Sequence, residues 1–172
     1  MKTMTRNSND AGHAHAGRYL TFLLAGEAFG IEVARIREII RMTEIRTSPQ
    51  MPEFVRGVIN LRGSIIPIVD LRKKFGLPGA DDTERTSIVV TQVKGSGDGM
   101  IWVGFVVDDV EEVVNIAAAD IDPTPDFGFA VDTGYIRCMA KTKGAVKTLF
   151  DVDRILASEI VEQVIQQAPG EL

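Results

Sequence analysis

A duplicated turn and cap is the feature that most constrains this chain. Shifted by 81 positions, Arg56 falls on Arg137, Gly63 on Gly144 and Asp70 on Asp151. At the same shift Val58, Ile65, Ile68 and Val69 fall on Met139, Val146, Leu149 and Phe150, and Arg62 on Lys143. An earlier stretch repeats at a shift of 74: Gly30 meets Gly104, Glu38 meets Glu112, and Val33, Ile36, Ile39 and Ile40 meet Val107, Val110, Val113 and Val114. Ile45 and Pro49 meet Ile121 and Pro125 at 76. Glycine in turns and aspartate at caps have specific backbone tasks, so matching them argues for duplication rather than chance likeness among apolar strands. The pattern predicts two lobes on one plan: a strand pair, an acidic turn, a strand, a Pro-bearing connector, and a hairpin ending in Asp and a helix start. A repeat this long is a domain pair, not a solenoid.

Local patterns fill in that plan. Tyr19–Leu24 and Ala28–Ile31 read as paired strands around Gly26-Glu27, followed by one helical turn near Ala34–Arg37 and a strand from Glu38. Gly57–Leu61 and Ser64–Val69 flank a turn at Arg62-Gly63, and Asp70 caps a short helix that Gly76 ends. Thr86–Lys94 and Met100–Val107 flank a glycine-rich hairpin tip. An apolar stripe with Asp151 as cap predicts a last helix over about 152–167. Residues 1–17 are small and polar and read as a disordered tail, leaving one domain over 18–168 whose two lobes divide near 85–100. Many short strands and one long helix place the chain in the mainly-β class.

Several chemistries are disfavoured. The 172 residues carry 19 basic and 24 acidic side chains, a formal charge of −5, which argues against general phosphate-backbone binding. A lone Cys138 forbids an internal disulfide and reads as a buried inert thiol. The two histidines, His13 and His15, sit in the tail and read as solvated. Asp108, Asp109, Glu111 and Glu112 read as a solvated acidic turn, and neither they nor Asp120, Asp122 and Asp126 fit a calcium loop. No phosphate-binding loop occurs, so no cofactor is expected. No apolar run is long enough for a membrane span, and the expectation is a cytoplasmic protein.

Residues 54–75 contain Gly57-Val-Ile-Asn-Leu-Arg-Gly63 followed by Pro67-Ile-Val-Asp-Leu71. With Tyr19-Leu-Thr-Phe22, Phe29-Gly-Ile31, Val103-Gly-Phe-Val-Val-Asp-Asp-Val110 and Tyr135-Ile-Arg137, this resembles the CheW family of chemotaxis coupling proteins over about 18–160. The resemblance implies two SH3-like five-stranded β-barrels, no catalysis, and an adaptor that joins methyl-accepting chemoreceptor tips to the histidine kinase CheA. The length leaves no room for the kinase's ATP-binding domain. Residue by residue, it implies that Ile36, Glu38 and Arg62, with Gly104 and Val113 on the second lobe, face the receptor. Ile45, Arg46 and Phe127 would face the kinase regulatory domain. Structural alternatives stand beside these roles: Arg62 holding its own turn, and Ile36, Val113 or Phe127 serving as core.

The chain departs from the family at Ser87, at Cys138 in place of a frequent glycine, at Asp122, and at Lys147-Thr148, which imply an exposed face or edge within an otherwise aliphatic strand. The departures leave room for an output other than flagellar chemotaxis, such as twitching. A small acidic enzyme would instead show carboxylates converging in one cleft with raised pKa values. A nucleic-acid barrel would show a basic stripe with exposed aromatics.

Overall fold

The computed structural model describes residues 15–47, 50–95, 99–122 and 134–156. Strands β1 (Gly17–Leu24) and β2 (Glu27–Glu32) lead through a 3₁₀ turn, Val33–Arg35, into β3 (Ile36–Arg41). Then come β4 (Val55–Leu61), β5 (Ser64–Asp70), α1 (Leu71–Lys74), β6 (Ser87–Lys94), β7 (Met100–Val107) and β8 (Asp109–Ile116). A second 3₁₀ turn, Ala118–Asp120, precedes β9 (Ile121–Asp122), β10 (Ile136–Thr142), β11 (Ala145–Phe150) and α2 (Val152–Ile155). The mainly-β expectation holds.

One sheet has five strands in the order β3-β6-β7-β5-β4, and the other has six, β8-β1-β2-β11-β10-β9. The two orders are the same plan, with β8, β1, β2, β11 and β10 standing for β3, β6, β7, β5 and β4. The hairpins are therefore exchanged: β1–β2 joins the sheet of the second half, and β6–β7 the sheet of the first. Register repeats residue for residue. Ile68 pairs with Gly104 in the parallel β5–β7 ladder, and Leu149 with Gly30 in β11–β2. The bulge between Val55 and Gly57 recurs between Ile136 and Cys138. The isolated Arg46–Val58 bridge recurs as the Asp122–Met139 pair.

Two glycines permit the parallel ladders. A Cβ at Gly104 would sit 2.6 Å from Ile68 Cδ1 and 2.7 Å from Ile88 Cγ2, and one at Gly30 would sit 2.7 Å from Leu149 Cδ2. Between the sheets lies a shared core that includes Phe22, Phe29, Val89, Phe105 and Phe150. Phe75, just beyond α1, stacks on Tyr135 at 4.4 Å and meets Phe150 at 4.7 Å, so the end of the first half is wedged among aromatics of the second. Such ring pairs add ~0.5–1.5 kcal/mol each beyond their area burial.

Each half ends as the cap reading expects. Asp70 accepts the Lys73 N–H at 3.3 Å and Asp151 the Asp153 N–H at 3.0 Å. Leu156 takes an extended conformation (φ −129°, ψ 144°), so the helix expected over 152–167 is broken there. Residues beyond it lie outside the described ones. At the other end β1 begins inside the expected tail. His15 is partly buried, its carbonyl accepts the Tyr19 hydroxyl at 2.6 Å, and burial lowers its imidazole pKa, which corrects the solvated reading.

Candidate docking surface

The β4–β5 turn presents Arg62. Arg62 and Gly63 both take positive φ, 51° and 88°, as a two-residue hairpin turn requires, and Asn60 Oδ1 accepts the Gly63 N–H at 2.8 Å. A non-glycine residue held at positive φ costs on the order of 1 kcal/mol, so the turn holds Arg62 against a local preference. Its guanidinium donates to both oxygens of Glu38 on edge strand β3, with Nη2 to Oε2 at 3.0 Å. Those hydrogen bonds hold the Glu38 carboxyl below its usual range. The Arg62 side chain is 72% exposed. An ion pair so open to water contributes little to stability, so the pair is available for recognition.

Around this pair the expected residues divide. Ile36, also on β3, is partly buried against the shared core. Val113, on edge strand β8, is 45% exposed, so it is not core. Ile39 on β3, not singled out from the sequence as a site residue, is 44% exposed. Ile39 and Val113 are the same position in the two copies, and their strand partners Val89 and Leu20 both belong to the shared core. Gly104 is buried on β7, where it governs packing rather than presenting a side chain.

On the other flank of the five-stranded sheet, Ile45 packs against that lobe's core. Arg46 is exposed, and its backbone N–H and C=O bond to Val58 at 3.0 and 2.8 Å. The approach is so close that a Cβ on Gly57 would sit 2.0 Å from the Arg46 carbonyl oxygen. Beside Ile45 opens a pocket of about 630 Å³ whose walls include Arg56, Asp70, Lys73 and Asp82. Arg56 Nη1 and Nη2 donate to Asp82 at 2.7 and 2.9 Å, and Nε to Asp70 at 3.1 Å, which straps the polar loop after α1 to β4. Phe127 lies outside the described residues.

The acidic run is not a solvated turn. Most of it is strand β8, and each carboxylate has a cation: Asp108 with Arg72, Asp109 with Arg85, Glu111 with Lys147 and Glu112 with Lys143. Lys147 is likewise not on an exposed face. Its side chain is only 7% exposed, and β11 lies inside its sheet between β2 and β10. The sequence reading missed these pairs because their members lie far apart in the chain, on different strands, turns and helices. Consecutive Glu111 and Glu112 in one strand and an unexpected lysine, Lys147, in an otherwise aliphatic one were the available signal.

The chemistry of an enzyme site does not assemble among the described residues. Where carboxylate pKa values depart from the ordinary, at Glu38, Glu112 and Asp153, they move down, opposite to the acidic-enzyme expectation. Burial pushes the Cys138 thiol up to about 11, which suits an inert core residue. Among the described residues no three His, Cys, Asp or Glu side chains converge as a metal site would need, and no helix is long and apolar enough to cross a membrane.

A duplicated pair of β-sheets presenting charged hairpin tips and exposed apolar edge residues defines a binding scaffold. Residues 18–160 match the family model of the CheW-like domain, and the chain belongs to the CheW family. It is 34% identical over 149 residues to the chemotaxis protein CheW of Klebsiella aerogenes, covering 87% of each chain. It is also 34% identical over 154 residues to CheW of Rhizobium meliloti, covering 88% of this chain and 96% of that one. The crystal structure of the scaffolding protein TtCheW from Thermoanaerobacter tengcongensis superposes with a TM-score of 0.73 at 30% identity, covering 83% of this chain and 88% of that one. The protein is a non-catalytic chemotaxis scaffold.

Proposed function

We propose that this scaffold couples methyl-accepting chemoreceptors to the histidine kinase CheA in the cytoplasm, at membrane-associated receptor arrays. The receptor tip, a helical hairpin, docks on Ile36, Glu38, Arg62 and Val113, with Gly104 setting the strand spacing beneath them. The carrying observation is the Arg62–Glu38 fork, held on a turn with positive φ and open to solvent, on a chain whose edge strands also expose Ile39 and Val113. Helix recognition uses such a mix of apolar anchors and rim charge. Arg62 can leave one carboxylate for another, or donate to a second acceptor, at little cost to the fold.

The kinase regulatory domain binds the other flank through Ile45 and Arg46 of the first lobe, with Phe127, outside the described residues, as a separate contact from the second lobe. The Arg56–Asp82 strap fixes the loop beside Ile45, so that contact needs little ordering on binding. Holding both partners at once raises their effective concentration and fixes their geometry, and kinase control becomes a coupling free energy across the assembly.

Titration calorimetry of the full chain with a receptor signalling-hairpin fragment and, separately, with the kinase regulatory domain tests the assignment. Glu38→Ala is expected to weaken the receptor arm by about tenfold while sparing the kinase arm, and Ile45→Glu the converse. A folded wild-type protein that binds neither partner contradicts the adaptor reading. Loss of both arms in either variant contradicts the division into two surfaces.

A further inference from the structure

The exchanged hairpins leave two seams where the helix ending one sheet closes onto the hairpin turn and crossover of the other. At the first seam Arg72, on α1, donates through Nε to Asp108 Oδ1 at 2.8 Å and through Nη2 to Oδ2. Asp108 is the crossover residue just before β8, and its Oδ2 also accepts the Ala25 N–H, at the turn after β1, at 2.8 Å. At the second seam Asp153, on α2, accepts Arg35 Nη1 at 2.9 Å together with its Nη2. Arg35 is the crossover residue just before β3, and Asp153 Oδ1 also accepts the Lys94 N–H, at the end of β6, at 2.8 Å. Arg72 and Asp153 are one position of the 81-residue repeat. The two seams are the same triangle of helix, crossover and hairpin N–H, with the charges reversed.

We infer that this reversal is a pairing code that tells the two copies apart during folding. The copies share strand order, register, bulges and caps, so little in the backbone plan forbids α1 from closing on the seam of α2. Crossed closure would set Arg72 against Arg35 and Asp153 against Asp108, and would leave the Lys94 N–H facing a guanidinium. Like charges facing each other in a part-buried seam, with no acceptor for the hairpin, reject the crossed arrangement, as repulsion specifies against wrong partners elsewhere. The native seams carry the matched arrangement twice.

The test is refolding of the full chain from denaturant, read as native monomer recovered by size-exclusion chromatography and as refolding rate. Arg72→Asp with Asp108→Arg keeps a complementary pair at the first seam but gives both seams one polarity. It is expected to recover about half the wild-type monomer or less, with a slow or aggregated remainder. Adding Arg35→Asp and Asp153→Arg inverts the second seam, restores opposite polarities and is expected to return the yield toward wild type. The fourfold variant carries every local loss of the twofold one, including the Arg72–Pro78 carbonyl bond, so a gain isolates the code. A twofold variant that refolds with wild-type yield and rate overturns the inference, as does a fourfold variant no better than the twofold.

Discussion

Where the five-stranded sheet buries Ile66 among Ile59, Ile68 and Ile88, the six-stranded sheet buries Lys147 at the same repeat position. The neighbours change with it. Lys147 pairs with Glu111 at 3.7 Å, and the residue equivalent to Glu111 in the first lobe is Arg37, which lies over the Trp102 ring at 4.8 Å. The hairpin tips differ in the same spirit. Arg62 and Lys143 share positive φ, 51° and 53°, and each reaches a glutamate on an edge strand, Glu38 or Glu112. A tip-to-edge ion pair is thus part of the duplicated plan. What is particular to the first lobe is the planar guanidinium fork, which can present two parallel donors where an ammonium presents a point charge. Shared backbone geometry fixes where the tips stand, and side-chain chemistry decides which of them can recognise a carboxylate bidentately.

The largest break in the comparison is Ile66→Lys, which imports the second lobe's lysine without its glutamate and beside the position of Arg37. It is expected to lower unfolding stability by about 3–5 kcal/mol in urea titration. A loss under about 1 kcal/mol would mean the first lobe can house the charge unaided. Next is Gly57→Ala. Its Cβ has no room at 2.0 Å from the Arg46 carbonyl, and φ there is 147°, so a loss of about 2–3 kcal/mol is expected. The equivalent Cys138→Ala, in a site that already holds a side chain, should cost about 1 kcal/mol. Equal costs would show that the Arg46 bridge is not what demands the glycine.

Lys147→Ile makes the second lobe resemble the first and is expected to raise stability by about 1 kcal/mol, because it removes a buried charge whose partner can turn to water. A large loss would mean that the Glu111 pair outweighs its desolvation. The smallest effect is the acid limb of stability at the second seam. Burial raises the Asp153 pKa, but the hydrogen bonds from Arg35 and the Lys94 N–H overcome it and hold the carboxyl below its ordinary 3.8. A carboxylate depressed in the folded state contributes stability above its unfolded pKa, and that contribution fades as pH falls through the folded value. Asp153→Asn should therefore be less stable than wild type near neutrality, with the gap narrowing below about pH 4.

Much of this was legible in the sequence. The strands, the caps at Asp70 and Asp151 and the three offsets of the repeat were readable because glycine, aspartate and alternating apolar residues report local backbone needs. The offsets of 74, 76 and 81 are now explained: each marks a segment of one rigid plan, separated by connectors of different length. The Arg62–Glu38 contact joins two residues that the resemblance had assigned to one surface. The seams were invisible, because the repeat alignment matches like with like and Arg72 against Asp153 registers as a mismatch. Lys147 was misread for a related reason: its burial depends on Glu111, on β8, while local pattern rewards only aliphatic neighbours. Ile39 was seen as a repeat match but not as surface, since its exposure follows from β3 being a sheet edge.

The most direct test of the central claim, that the first lobe's guanidinium fork is the receptor-docking element, is receptor-fragment affinity measured side by side for Arg62→Lys and Lys143→Arg. Arg62→Lys keeps the charge and the turn but loses the fork, and is expected to weaken receptor binding by about tenfold, with kinase binding unchanged. Lys143→Arg should leave the receptor arm as it is. Receptor affinity unmoved by Arg62→Lys, or lost equally when the second tip is altered, would contradict the assignment of docking to the Arg62–Glu38 fork.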